Sequence, residues 1–109
     1  MSPDLTDYVR CWNEGRFFDA HETLEPRWIK QRDAGLQGLI QLAAALHHLQ
    51  RGNLRGAKTM LGRAVPRLLD RRNAPCELDQ RSLADYGSRL LDQIGSAPER
   101  ELLAARPRL

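Results

Sequence analysis

One histidine and two glutamates stand at helical spacing near the start of the chain: His21, Glu22 and Glu25. His21 and Glu25 are four positions apart, so a helix brings imidazole and carboxylate together, one turn from each other. Such a pair can exchange a proton, hold a small polar ligand, or give two ligands to a divalent metal ion. The spacing His21-Glu22-x-x-Glu25 compares with the zinc-hydrolase pattern His-Glu-x-x-His, in which two histidines bind the metal and the glutamate between them is the general base. Here Glu25 stands in place of the second histidine. A metal site therefore needs a third ligand from elsewhere, and His48 is the candidate, giving the set His21, Glu25 and His48. Metal-dependent hydrolysis would require that set, and no reaction is assignable without it.

A second polar group is set by an unusual stretch. From Leu36 to Gln50 the chain contains no Asp, Glu, Lys or Arg. Wound as a helix, Leu36, Leu39, Ile40, Leu42, Ala43, Leu46 and Leu49 cover most of its circumference. Gln37, Gln41 and His48 fall within about 40° of one another on the remaining stripe, with Ala44 beside them. A helix bounded by water ordinarily shows charge on its wet side, so this one reads as the buried centre of a bundle. Buried amides and imidazoles need partners, because an unsatisfied polar group costs about 1–3 kcal/mol. The expected partners are His21 and Glu25, which lie inside the apolar arc of Phe17, Ala20, Leu24 and Trp28 on the preceding helix. The expectation is a buried cluster of His21, Glu25, Gln37, Gln41 and His48, with Glu22 at its edge and Trp28 beside it. It either takes a small polar ligand or a metal ion, or saturates itself as a network that fixes helix register.

The elements that position these groups follow from apolar spacing and from Gly and Pro. Ser2-Pro3 opens a first helix over 3–13, and Gly15 breaks it. A second helix runs from Phe17 through Glu25 toward Gln31, kinked or ended early by Pro26. Residues 31–35 form a loop, and the third helix spans Leu36 to Arg51. Gly52 and Asn53 stop it and cap a fourth, which runs from Leu54 toward Asp70 with Pro66 as a kink. A fifth covers about Leu78 to Ile94. Ser96-Ala97-Pro98-Glu99 has the form of a capping box for a short last helix, and residues 106–109 are expected to fray.

Gly15, Ala20 and Leu24 recur 37 positions later as Gly52, Ala57 and Leu61. Each set follows a helix: Gly permits the tight turn, Ala the close helix approach, and Leu fills the groove one turn on. Tetratricopeptide hairpins use similar logic. The fold expected is all-α, one domain over residues 1–109, a bundle of five or six helices built from two helix-turn-helix hairpins in a tetratricopeptide-like manner.

Composition agrees. Of 109 residues 41% are hydrophobic and 28% charged, which excludes a disordered chain. The uncharged stretch of 15 residues is short for a membrane span. No basic segment followed by an apolar run marks a signal peptide, and Cys11 and Cys76 fit no metal-ligand spacing, so free thiols in the cytoplasm are expected. Residues 51–72 hold seven bases and one acid, in a protein of net charge +3. Arg55, Arg63 and Arg67 share one face of the fourth helix. Such a strip could contact phosphates, but it lacks aromatics and any recognition motif, and a solvated or acid-paired face is the better reading.

The run Asn13-Glu14-Gly15-Arg16-Phe17-Phe18-Asp19-Ala20-His21-Glu22-Thr23-Leu24-Glu25, followed by Trp28, resembles a family of small prokaryotic helical proteins, domain of unknown function 309. So does Gln37-Gly38-Leu39-Ile40-Gln41-Leu42-Ala43-Ala44-Ala45 with Arg51-Gly52-Asn53-Leu54-Arg55-Gly56-Ala57. The resemblance implies a compact helical bundle and brings no activity with it. Pro26 departs from the family's pattern, in which the helix continues smoothly into the Trp.

Three functions therefore stand open. The first is a bundle whose His/Glu/Gln cluster binds a small polar ligand or a divalent metal. The second is a tetratricopeptide-like protein-interaction or homodimerisation module with a structural polar network. The third is weak nucleic-acid binding through the basic helix.

Overall fold

The computed structural model describes all 109 residues and is built of helices alone. Ser2 precedes α1 (Pro3–Asn13), with Pro at its first turn, and Leu5, Tyr8, Cys11 and Trp12 form its buried face. The chain then turns at Gly15, whose φ of 78° is the left-handed conformation that glycine adopts at little cost. The expected second helix is two helices, α2 (Phe17–Thr23) and α3 (Glu25–Gln31). Pro26 has no N–H to bond the preceding turn, so the helix breaks at Leu24, which itself stays right-handed.

The turn into the central helix is shorter than expected. Arg32 adopts the left-handed conformation, with φ of 52°, and Asp33 caps α4 (Ala34–Gln50) by accepting from the Leu36 N–H at 3.1 Å. Asp33 also accepts from the Ala74 N–H at 2.9 Å, which ties this turn to the loop after α5. Asn53 caps α5 (Leu54–Leu68), as its position after Gly52 implies, and Asp79 caps α6 (Gln80–Gln93). The last helix is α7 (Glu99–Ala104). No capping box forms there: Pro98 occupies the N-cap position, and Glu99 is the first helical residue.

Helix α4 is the centre of the bundle, packed on α2, α3, α5, α6 and α7. Ten of its residues are buried, among them Leu39, Leu42, Leu46 and Leu49 at zero exposure. The internal repeat has a structural counterpart. Gly15 and Gly52 both have positive φ, and Ala20, Leu24, Ala57 and Leu61 are all fully buried.

The C-terminal segment is tied down rather than frayed. The Trp12 indole N–H donates to the Pro107 carbonyl at 2.8 Å, and Arg106 donates to the carbonyls of Trp12 and Asn13 at 3.2 and 3.0 Å. The Leu109 N–H donates to Asn13 Oδ1 at 2.9 Å. No helix is long and apolar enough to cross a membrane.

Candidate functional site

Helix α4 keeps one arc uncovered. Between its buried flanks, Gln37, Gln41, Ala44, His47 and His48 are partly exposed. α2 and α3 border this arc on one side and α5 on the other. On the α5 side two glycines permit the approach. A Cβ at Gly38 would lie 2.9 Å from Leu68 Cγ, and one at Gly56 would lie 3.0 Å from His48 Cγ.

The α2–α3 border carries the pair foreseen from spacing. His21 Nε2 lies 3.0 Å from Glu25 Oε1, with the side chains 28% and 42% exposed. The other ring nitrogen, Nδ1, is enclosed and has no hydrogen-bond partner. Phe18 stands between two histidines, its ring 5.8 Å from that of His21 and 5.3 Å from that of His47. His48 lies one residue further and pairs with Asn53, Nδ1 to Nδ2, at 3.2 Å. Because Asn53 Oδ1 accepts from the Gly56 N–H, its amide nitrogen faces His48, whose Nδ1 is the acceptor. Trp28 is half-buried against the core, with the Arg32 guanidinium 4.4 Å above its ring. Glu22 points outward and is exposed.

The glutamines pair with a residue from the basic strip. Arg67 Nε donates to Gln37 Oε1 at 3.0 Å, and Arg67 Nη1 donates to Gln41 Oε1 at 3.1 Å. Arg55 and Arg63 are exposed.

Several expectations are thereby corrected. His21, Glu25, Gln37, Gln41 and His48 are all partly exposed, so the cluster is not a buried one. A bundle with α2–α3 and α5 on either side of α4 leaves nothing to cover the arc between them. His21 and Glu25 pair with each other, Gln37 and Gln41 with Arg67, and His48 with Asn53: three separate pairings on one face. His21, Glu25 and His48 do not assemble as a metal-binding set, and no three His, Cys, Asp or Glu side chains are grouped to hold an ion. Spacing along the chain could not reveal Arg67, because its contact depends on the register between α4 and α5. The signal available was chemical: two neutral acceptors one turn apart match the fork of a guanidinium.

Burial lowers the pKa of His47 below the ordinary imidazole value, reinforced by Arg51 and by His48 and His21. Its folded form therefore binds fewer protons than the unfolded chain, and stability that is full above about pH 6.5 is lost as the pH falls. Urea midpoints are expected to drop from about pH 8 to about pH 6, with a smaller drop in His47→Gln. An equal drop in both proteins would assign the effect to other groups.

The profile of the family described as Domain of unknown function (DUF309) matches residues 5–60. An uncharacterized protein of Aquifex aeolicus (strain VF5) is 32% identical over 87% of this chain, and the match covers 30% of that protein. The uncharacterized protein YpuF of Bacillus subtilis (strain 168) is 34% identical over 85% of this chain and 53% of its own length. The chain thus spans about half the length of one curated relative and less than a third of the other. No solved structure matches it.

Proposed function

The chain belongs to the DUF309 family, and from the geometry of its open face we propose that it is a protein-interaction module. In this reading a partner segment lies across the uncovered arc of α4, between α2–α3, which carry Phe18 and Ile29, and the α5 edge that carries Arg67.

The observation that carries the reading is apolar exposure on the two helices that border the arc. Four large hydrophobic side chains are exposed: Met1, Phe18, Ile29 and Leu69. Two of them, Phe18 at 51% on α2 and Ile29 at 58% on α3, stand on those bordering helices, and the Phe18 ring lies 5.3 Å from that of His47. An apolar edge next to an uncharged, hydrogen-bonding strip is the composition of an interface centre. The hairpin logic shared with tetratricopeptide units supports the same reading, and the two free thiols suit a reducing, cytoplasmic setting. A small-ligand reading has one observation in its favour, the unpartnered Nδ1 of His21. Three clefts, however, are not lined by His21: one beside Asp33 and Asn73, one beside Arg16 and Glu22, and one beside Tyr86 and Pro107.

A photo-crosslinking amino acid placed at Phe18 in cells is expected to capture a discrete protein product. The same residue at Leu69, exposed at the C-cap of α5, is expected to capture none. Ile29→Glu should abolish the Phe18 product while changing unfolding free energy by no more than about 0.5 kcal/mol, as exposed positions do. Indistinguishable labelling from both sites would refute the interaction face.

A further inference from the structure

Arg67 is held in place by neutral oxygens alone. It donates to Gln37 Oε1, to Gln41 Oε1 and, at 3.2 Å, to the carbonyl of Arg63. A guanidinium offers donors and no acceptor, so both glutamines must turn their oxygens toward it. The amide orientations are thereby settled by chemistry, and both Nε2H2 groups point away from Arg67. Neither is sealed in the interior, and neither has an acceptor in the protein.

The charge is uncompensated as well. None of the ion pairs of the molecule includes Arg67 or Arg63. Glutamate at position 37 or 41 has the same length as glutamine and would neutralise Arg67 in the same geometry. Glutamine at both positions fixes the guanidinium and leaves its charge intact. The result is a set of preoriented donors with a net positive charge: two amide NH₂ groups, the free Nη2 of Arg67, and the exposed Arg63 guanidinium one turn along α5.

We infer that Gln37, Gln41 and Arg67 form a carboxylate-recognition site, which takes an Asp or Glu side chain of the protein segment docked on this face. The inference rests on the interaction reading above and specifies its partner: an acidic segment whose carboxylate sits on the donors while an apolar neighbour covers Phe18 and Ile29. Planar guanidinium and amide donors suit the two in-plane oxygens of a carboxylate. The chain's positive excess lies on α5, which supplies Arg63 and Arg67 and would draw an acidic partner to this side.

The test is an NMR titration of nitrogen-labelled protein at fixed ionic strength, following the side-chain NH₂ signals of Gln37 and Gln41. The probes are a capped single glutamate, a capped single glutamine and inorganic phosphate. Capped glutamate is expected to give saturable shifts at both NH₂ groups, and capped glutamine none. Arg67→Met should weaken the glutamate response by roughly ten- to a hundredfold, the loss of a charge-assisted hydrogen bond. Gln41→Glu should remove the response while melting at the wild-type temperature or above, which separates binding from folding. No saturable shift with glutamate, an equal response to glutamine, or a response to phosphate alone overturns the inference. If the titration is silent and the Phe18 crosslink persists, the carboxylate site falls and the interaction module stands; if both fail, the module itself falls.

Discussion

Replacing Trp12 with alanine is expected to lower the unfolding free energy by about 3–5 kcal/mol, the range for truncating a large buried aromatic. For a domain whose total stability is about 5–15 kcal/mol, that is a large fraction. Trp12 is fully buried, with its ring 6.2 Å from Tyr8, 5.8 Å from Phe17 and 6.2 Å from Tyr86. It joins α1, α2 and α6 in one aromatic cluster. Its indole N–H also holds the Pro107 carbonyl, so the substitution should release the C-terminal segment. In denaturant titrations the midpoint is expected to fall with little change in slope. Amide exchange at Leu109, now bonded to Asn13, should accelerate alongside it. Trp12→Phe keeps most of the packing and loses the hydrogen bond, which predicts a smaller loss of about 1 kcal/mol beyond the volume difference. A Trp12→Ala protein within 1 kcal/mol of wild type in the same titration would contradict this role.

Gly38→Val is expected to be the other severe substitution, at about 2–3 kcal/mol or more. A Cβ at Gly38 would lie 2.9 and 3.0 Å from two carbons of the Leu68 side chain and 3.1 Å from the Leu68 backbone nitrogen. The side chain can rotate away, but the backbone nitrogen moves only if α5 moves. Leu68 follows Arg67 directly, so separating α4 from α5 also draws the guanidinium off Gln37 and Gln41. The substitution should therefore shift the two glutamine NH₂ signals as well as lower the melting temperature. Gly62 is the control: nothing lies within 4 Å of its Cβ position, and Gly62→Ala should stabilise by about 0.5–1 kcal/mol through helix propensity. Equal melting of the Gly38→Val protein and wild type would show that the two helices can part at no cost.

The helices were largely legible in the sequence, because their signals are local. Ser2-Pro3, Gly15, Gly52-Asn53 and Pro26 act on the backbone within a residue or two of where they stand, and each marks a boundary that the structure has. Elsewhere the local signal is weak or ambiguous. Arg32 turns the chain with a left-handed φ and no glycine to announce it, so the loop before α4 looked longer than it is. Ser96 and Glu99 have capping-box spacing, but Pro98 between them takes the cap position. The tail is ordered by contacts with Trp12 and Asn13, more than ninety residues away in sequence.

The site was legible by half. The His21–Glu25 pair follows from the rise of one helical turn. The partner of the glutamines did not, since a helical wheel says which way a side chain points and nothing about what stands opposite. Absence of charge on α4 does mark the buried centre of the bundle, since ten of its residues are buried. On the one strip left open the charge comes instead from Arg67 of the neighbouring helix, which a helical wheel does not show.

The central claim is that the apolar edge of α2–α3 and the donors on α4 and α5 work as one surface. It is tested most directly by measuring the in-cell crosslink yield from Phe18 in a Gln41→Glu background. The substitution touches neither Phe18 nor the core and is expected to leave melting unchanged or raised. The account predicts that neutralising Arg67 across the arc removes most of the crosslinked product. An undiminished yield from a folded Gln41→Glu protein would contradict it.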